Sequence, residues 1–436
     1  MQCTTIGAFS FPKLELYWKK GTAISLVSSA MTRTRFHFLR NNLHFAIDPV
    51  ADDNLWKVRP LLDAFTKQAG SISKQEYLCI DEQMIPFKGR SNMKQYMPKK
   101  PNKWGIKLFL LCSSDGIVHD LEVYQGKNTN IGSYGLGFCS DIVLRLAESI
   151  PNGAGFKVFF DNYFTTLPLL IHLKNKGTYA TGTLRSNRAS TANRILSSEK
   201  DLKRTGRGSM DDVVDVNNGL YVIRWLDSGI VQLSSTIYGA LPVSTVQRYN
   251  NVEKKFIDIN QPHIVSTYNS HMGGIDKTDF LIALYRIKIK TRKWPLRMLD
   301  HFINMSITNS WLEYKRDMAE LKQPAISLLD FCLQLAEELL YSNVTPAKKR
   351  GRPAKDSEPD TEVQPSKLLK SDVEVRPATG VRYDQYNHWP QYAQTRRTCK
   401  LEGCKGITSY ICEKCNVHLC IPTKEKNCFV SFHKRN

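Results

Sequence analysis

The sequence predicts a mixed α/β protein with an inserted β-rich module, flanking helical segments and a small cysteine-rich unit at its C-terminal end. Three observations predict it. Between residues 73 and 184, apolar runs of strand length alternate with stretches of helical spacing, as in a sheet covered by helices. On both sides of that region apolar residues recur three and four positions apart. Of eleven cysteines, six crowd between Cys399 and Cys428, while Cys3, Cys79, Cys112, Cys139 and Cys332 are scattered. At 436 residues the chain exceeds one ordinary domain, and 42% hydrophobic content is enough for a sizeable core.

In chain order, residues 1–72 read as helical, with RFHFLRNNLHF and LWKVRPLLDAF carrying the spacing. The pattern changes at Gln75. YLCIDEQM is a short apolar strand ending on Asp81 and Glu82, and WGIKLFLLCSSDGIVHDLEVYQG is a hairpin turning at Ser114, Asp115 and Gly116. GFCSDIVLRLAESI has helical spacing, FKVFFDNYF is a buried strand ending on Asp161, LPLLIHLKNKG is a helix with a glycine stop, and TYATGTL is another strand. Residues 185–261 turn polar and then supply GLYVIRWLDSGIVQLSSTIYG, the inserted module. Helical character returns in 262–285 at GGIDKTDFLIALYRIK. In 286–344, WPLRMLDHFINMSITNSWLEYKRD presents Leu299, Phe302, Ile303, Ile307, Trp311 and Tyr314 on one apolar face, with Pro295 in its first turn. From 345 to 395 proline, lysine and acidic residues replace apolar periodicity, which predicts a disordered linker ahead of the cysteine-rich unit, 396–436.

Sixty-one Lys and Arg against forty-one Asp and Glu leave a formal charge of +20. That balance favours a polyanionic partner, although ribosomal and membrane-surface proteins share it. The opening residues lack a charged segment followed by an apolar one, and no apolar run approaches a membrane span, so a soluble intracellular protein without a membrane partner is expected. In a reducing compartment the cysteine cluster points to metal rather than disulfides.

Asp81 and Asp161 each close an apolar strand. If the two strands are parallel neighbours, both carboxylates emerge at the same sheet end, where open α/β sheets commonly bind ligands. Adjacent acids repel unless a cation separates them, and hard oxygen ligands suit Mg²⁺ or Mn²⁺. Two such ions about 3.5 to 4 Å apart activate a water and steady the leaving oxygen of a phosphodiester. HMGGIDKTDFLIALY offers a third carboxylate, Asp276, with Asp279 on the same helical face. Each acid also has an ordinary structural reading: Asp276 and Asp279 as helix-start residues, Asp81 and Asp161 as strand ends.

DEQMIPFKGRSNMKQYMPKKPNKWGIK, KVFFDNYFTTLPLL and YNSHMGGIDKTD, in this order across most of residues 50–320, resemble the core of the piggyBac transposase family, including its domesticated descendants. The resemblance implies an RNase H-like catalytic fold split between 73–184 and 262–285, interrupted by the insertion at 185–261. It also implies a helical dimerisation and DNA-binding domain assembled from 1–72 and 286–344. Carried over by position, the catalytic triad is Asp81, Asp161 and Asp276, with Asp279 a further acid. The implied chemistry is metal-dependent hydrolysis at the ends of a double-stranded DNA transposon, hairpin formation there, and strand transfer into TTAA targets by a nuclear homodimer. Family members commonly begin with a longer extension, so the expectation is that part of the DNA-binding or dimerisation apparatus is missing here, which weighs against activity. A non-catalytic nuclear DNA-binding protein retaining the scaffold is the other reading; the intact triad positions favour the enzyme.

Lys88, Arg90, Lys94, Lys99, Lys100, Lys103 and Lys107 follow the first acid, and Arg286, Lys288, Lys290, Arg292, Lys293 and Arg297 follow the third. Their placement favours phosphate contacts over plain solvated charge. Tyr96 and Trp104 could stack on unpaired bases, with core packing the expected role for Trp104. Trp294 and Trp311 are assigned to packing. In KKRGRPAK, Arg350 and Arg352 flank a glycine as in an AT-hook; a nuclear import signal and plain solvated charge are the other readings.

The C-terminal unit offers Cys399, Cys404, Cys412, Cys415, His418, Cys420, Cys428 and His433, enough for two structural zinc ions. With too few apolar residues to fold alone, the unit would draw much of its folding free energy from metal binding. A RING-like order would pair Cys399, Cys404, His418 and Cys420 on one ion and Cys412, Cys415, Cys428 and His433 on the other. The family resemblance implies that this unit binds terminal DNA; a protein-interaction or ubiquitin-ligase finger is the competing reading.

Overall fold

The computed structural model describes residues 2–50, 53–98, 100–129, 131–341, 377, 379–421 and 427–434. Arg350, Arg352, Lys99 and most of the expected linker lie outside them. The chain divides into two compact units, 1–348 and 349–436.

The larger unit opens with α1 (Gln2–Phe9), α2 (Ser25–Ser28), α3 (Arg33–Asn41) and α4 (Arg59–Ser71). The first sheet segment follows: β1 (Tyr77–Pro86), β2 (Lys94–Tyr96), β3 (Trp104–Ser113) and β4 (Val118–Val123). Helices then alternate with strands in α5 (Phe138–Ala147), β5 (Lys157–Phe160), α6 (Leu167–Asn175) and β6 (Tyr179–Thr183). After α7 (Ser190–Ile195) and α8 (Glu199–Thr205) come β7 (Met210–Asp215), β8 (Leu220–Leu226), β9 (Ile230–Ser235), β10 (Ser244–Asn250) and β11 (Lys255–Gln261). Four helices close the unit: α9 (His263–His271), α10 (Gly274–Leu284), α11 (Trp294–Glu320) and α12 (Leu328–Tyr341).

Nine strands form one mixed sheet in the order β2–β3–β1–β5–β6–β9–β8–β7, with β4 sharing the outer edge of β3. β1 is antiparallel to β3 and parallel to β5, and β5 is parallel to β6. Strand alternation sends Leu78, Ile80, Phe109, Leu111, Val158 and Phe160 to one face, under α5 and α6. Cys79, Leu108, Leu110, Cys112 and Phe159 point to the other face, against α4, α10 and α11. A layer of helices therefore covers each side of the sheet. The N-terminal helices gather a separate core around Tyr17, Val27 and Phe36, completed by Ile287 and Ile289 from the segment after α10.

Three sequence expectations change here. β1 does not end at Asp81: β3 continues to pair with it as far as Pro86, so the acid sits in mid-strand. The 185–261 region does not stand apart, because β9 hydrogen-bonds to β6 and carries β8 and β7 into the main sheet, leaving only β10 and β11 as a separate hairpin. Finally, α11 buries more than one face. His301, Asn304, Thr308 and Asn309 are buried beside Phe302 and Leu312, and Asn309 answers both the N–H and the C=O of Val118 at 3.0 and 2.8 Å.

Candidate functional site

The parallel pairing of β1 and β5 ends at Ile80 opposite Phe160, and the next residue on each strand is an aspartate. Asp81 and Asp161 thus stand side by side where β5 stops and β1 runs on. Their carboxylates converge with that of Glu82, each offering an oxygen within 4.8 Å of the others. Asp81 accepts from the Glu82 backbone N–H at 2.7 Å, and Asp161 accepts from the Tyr163 N–H at 2.9 Å. Burial pushes the Asp81 carboxyl up to about 8, with the neighbouring Glu82 adding to the rise. Burial likewise raises Asp161. One buried oxygen of Glu82, Oε2, has no hydrogen-bond partner. Half-buried acids this close, with an acceptor left over, form a donor set suited to a hard divalent cation.

Two lysines temper the cluster. Lys100 donates to the Glu82 carbonyl at 3.1 Å, and its charge lowers the proton affinity of both Asp81 and Asp161. Lys107 is buried with its ammonium 4.6 Å from the Phe109 ring and 4.5 Å from the Tyr163 ring. Burial depresses its pKa against the pull of Glu82.

Asp276 and Asp279 lie on α10, whose start presses against the sheet. Gly274 makes that approach possible: a Cβ there would stand 2.4 Å from the Ser113 carbonyl and 2.7 Å from the Cys79 sulfur. Asp276 is in the first helical turn and exposed, outside the trio of converging acids among the described residues. Asp279 is turned inward. Its Oδ1 accepts from Gln83 Nε2 at 2.8 Å, while Gln83 Oε1 accepts from His301 Nε2 at 2.8 Å. Burial holds His301 down to about 3, so it is a neutral donor fixed in one tautomer. This chain of contacts joins β1, α10 and α11, and sequence spacing gave no sign of it. Gln83→Leu would strand both partners, and we expect it to lower stability in urea unfolding by about 1–3 kcal/mol. An unchanged midpoint would show that the network carries no weight.

The basic residues separate into two groups. Lys88, Arg90, Lys103, Lys288, Arg292 and Lys293 are exposed, and Lys94 is half-buried. Arg286 is instead drawn inward toward the Asp279 charge, with its Nε buried and unpartnered, so it is not part of that open surface. Trp104, expected in the core, is 46% exposed.

The smaller unit contains α13 (Thr379–Arg382), β12 (Pro390–Thr398), β13 (Ile407–Cys412) and α14 (Cys428–His433). Its core is mostly sulfur, with Val417, Leu419, Phe429 and Phe432. Two four-ligand groups stand out: Cys399, Cys404, Cys420 and Cys428; and His388, Cys412, Cys415 and His433. This differs from the RING-like pairing. Cys428 changes partners, His388 enters and His418, although buried, belongs to neither group. Cys404 and Cys428 sulfurs are 3.5 Å apart, close to the edge of about 3.8 Å for a tetrahedron of Zn–S bonds and far from a disulfide. His388 Nδ1 lies 3.4 Å from the sulfurs of Cys412 and Cys415, while its Nε2 meets Asp384 at 2.9 Å. His433 bonds the Phe429 carbonyl through Nδ1 at 2.8 Å, and its buried Nε2 has no partner. Each histidine is oriented through one nitrogen and leaves the other available for metal.

Comparison with known proteins agrees with this architecture. The sequence profile of the Transposase IS4 family matches residues 4–311. The human PiggyBac transposable element-derived protein 3 is 30% identical over 440 residues, covering 98% of this chain and 68% of its own length. The human PiggyBac transposable element-derived protein 2 is 28% identical over 405 residues, covering 91% of this chain and 64% of its own. A piggyBac transposase, solved by cryo-EM as a synaptic complex with hairpin DNA, shares the fold with a TM-score of 0.66 at 22% identity, over 96% of this chain and 86% of that one. With the profile covering most of the chain and the identity running almost end to end, the chain belongs to the piggyBac transposase family.

Proposed function

We propose that this chain is a piggyBac-like, metal-dependent DNA transposase or a domesticated derivative that keeps the chemistry. The observation that carries this reading is the meeting of Asp81 and Asp161, with Glu82 close to both, at the point where parallel pairing stops. An RNase H-like core is supported by the run β4–β3–β1–β5–β6, antiparallel on one side of β1 and parallel on the other.

In this reading Asp81, Asp161 and Asp276 hold Mg²⁺ or Mn²⁺, and Glu82 supplies an oxygen close to the first two. When bound, such ions lower the pKa of an attacking water or hydroxyl and stabilise the departing oxygen. The chain's own contribution is placement. The exposed Lys88, Arg90, Lys103, Lys288, Arg292 and Lys293 anchor phosphates of transposon ends, and Lys100 sets the charge beside the acids. TTAA target choice, a homodimer and nuclear location belong to the same proposal. So does zinc at both sulfur groups, whose soft ligands and free histidine nitrogens fit it. The exposed position of Asp276, outside the acid trio, favours the second reading, a catalytically silent DNA-binding descendant.

The deciding experiment incubates the full chain with DNA carrying candidate terminal repeats and Mn²⁺, alongside Asp81→Ala and Asp276→Ala. Nicking by the wild type and by neither variant is expected. Tight binding with no nicking would replace the enzyme by the silent scaffold.

A further inference from the structure

Two large aromatic side chains stand exposed at the edge of the sheet that carries the acid site, outside the apolar clusters of the core. Tyr96 is 50% exposed and Trp104 46% exposed. They are cross-strand partners at the edge of the sheet, with ring centroids 4.7 Å apart and an interplanar angle of 45°. Lys94 places its ammonium 5.0 Å from the Trp104 ring centroid. Beside them runs a groove of about 640 Å³ lined by Phe87, Lys88, Lys103, Trp104, Lys290 and Arg297. Exposing two such rings has a cost in water that neighbouring residues normally remove by covering them.

Their location relates them to the acids. Trp104 has the strand parity of Ile106, Leu108 and Leu110, and Leu110 is the partner of Asp81. Trp104 is thus on the same face of the sheet as that carboxylate. Along β1, the five residue steps from Asp81 to Pro86 span about 16 Å, and Pro86 pairs with Gly105, next to the tryptophan. The loop between the two aromatics folds back so that Lys100 touches the acid site.

We infer that Tyr96 and Trp104 form a stacking platform for an unpaired nucleobase of the DNA end being processed, with Lys88, Lys94 and Lys103 holding the flanking phosphates. This deepens the transposase reading and rests on it. The aromatic faces ask for a flat, uncharged partner, and the surrounding ammonium groups ask for a polyanion. An unpaired nucleotide supplies both at once, whereas a base within a duplex has its faces covered by its neighbours. The platform therefore distinguishes opened ends from intact duplex.

The test measures equilibrium binding of the full chain, without added divalent ion and at one fixed salt concentration, to a blunt duplex and to the same duplex with a short single-stranded overhang. A 2-aminopurine in the overhang reports stacking by its fluorescence. Wild type is expected to prefer the overhang and to quench the probe. Trp104→Ala is expected to lose about tenfold in affinity for the overhang and little for the blunt duplex, while Trp104→Phe retains most of the preference. Equal losses on both probes, or none on the overhang, overturn the platform while leaving the transposase reading in place. A shift of Trp104→Ala from dimer to monomer in sedimentation would overturn it in favour of a second copy covering the rings. Wild type that binds neither duplex removes the DNA-processing reading and the platform with it.

Discussion

Asp81→Asn is expected to abolish metal-dependent DNA cleavage and, at the same time, to make the metal-free protein more stable at neutral pH. The carboxyl is raised from 3.8 to about 8, mainly by burial, with Glu82 adding to the rise. The folded state thus keeps a proton that the unfolded state gives up. Stability from this group is fully present below about pH 4 and is lost progressively as pH rises toward about 8. Asparagine takes no part in that titration, and its amide can donate to a neighbouring carboxylate. The gain at pH 7 should be on the order of 2–4 kcal/mol. Divalent metal has the opposite preference, because it needs the ionised acid. Mn²⁺ should therefore stabilise the wild type more at pH 8 than at pH 6, and should leave the variant almost unmoved. Urea midpoints across that range, with and without Mn²⁺, read both effects. A variant that still cleaves, or whose pH slope matches the wild type, would remove Asp81 from the metal site.

The parts of this site that were legible in the sequence share a physical basis. Asp161 follows an apolar strand and Asp81 an apolar run within a longer one, and the parallel pairing that ends at Ile80 opposite Phe160 puts the two at one level. Glu82 was visible only as a neighbour. An adjacent residue on a strand normally faces away, and its convergence with the aspartates depends on how far each side chain reaches at the point where β5 ends. The same limit hid Gln83, whose value lies in joining Asp279 on α10 to His301 on α11, residues 196 and 218 positions away. Trp104 was misjudged because a strand signature does not reveal whether one end of the strand leaves the covered part of the sheet. On α11 the 3.6-residue pattern found one apolar face, but Asn309 and His301 are buried through hydrogen bonds, which hydrophobic periodicity cannot register.

Under the proposal that zinc fills both sulfur groups, His388→Ala should release one of two ions from the C-terminal unit, whereas His418→Ala should release none. The sequence favoured the reverse, since His418 lies among the cysteines and His388 precedes them in a stretch read as linker. The structure decides by which nitrogen faces what: His388 puts Nδ1 against Cys412 and Cys415 and is braced by Asp384, while His418 belongs to neither sulfur group. Burial and neighbouring sulfur push the Cys415 and Cys428 thiols up to about 12, so thiolates would not assemble here without a cation to hold them. Structural zinc in small fingers contributes roughly 10–16 kcal/mol of apparent binding free energy, and under the same proposal it would supply much of the folding free energy of a unit with this little apolar core. Loss of the His388 site should therefore appear as one ion per chain by elemental analysis and as rapid proteolysis near β12 and β13, with the larger unit intact. Asp384→Asn, which keeps every ligand but weakens the brace on His388, should cost about 10–100-fold in zinc affinity. Two ions retained in His388→Ala, together with one lost in His418→Ala, would restore the RING-like pairing and show that the sulfur groups rearrange when metal binds.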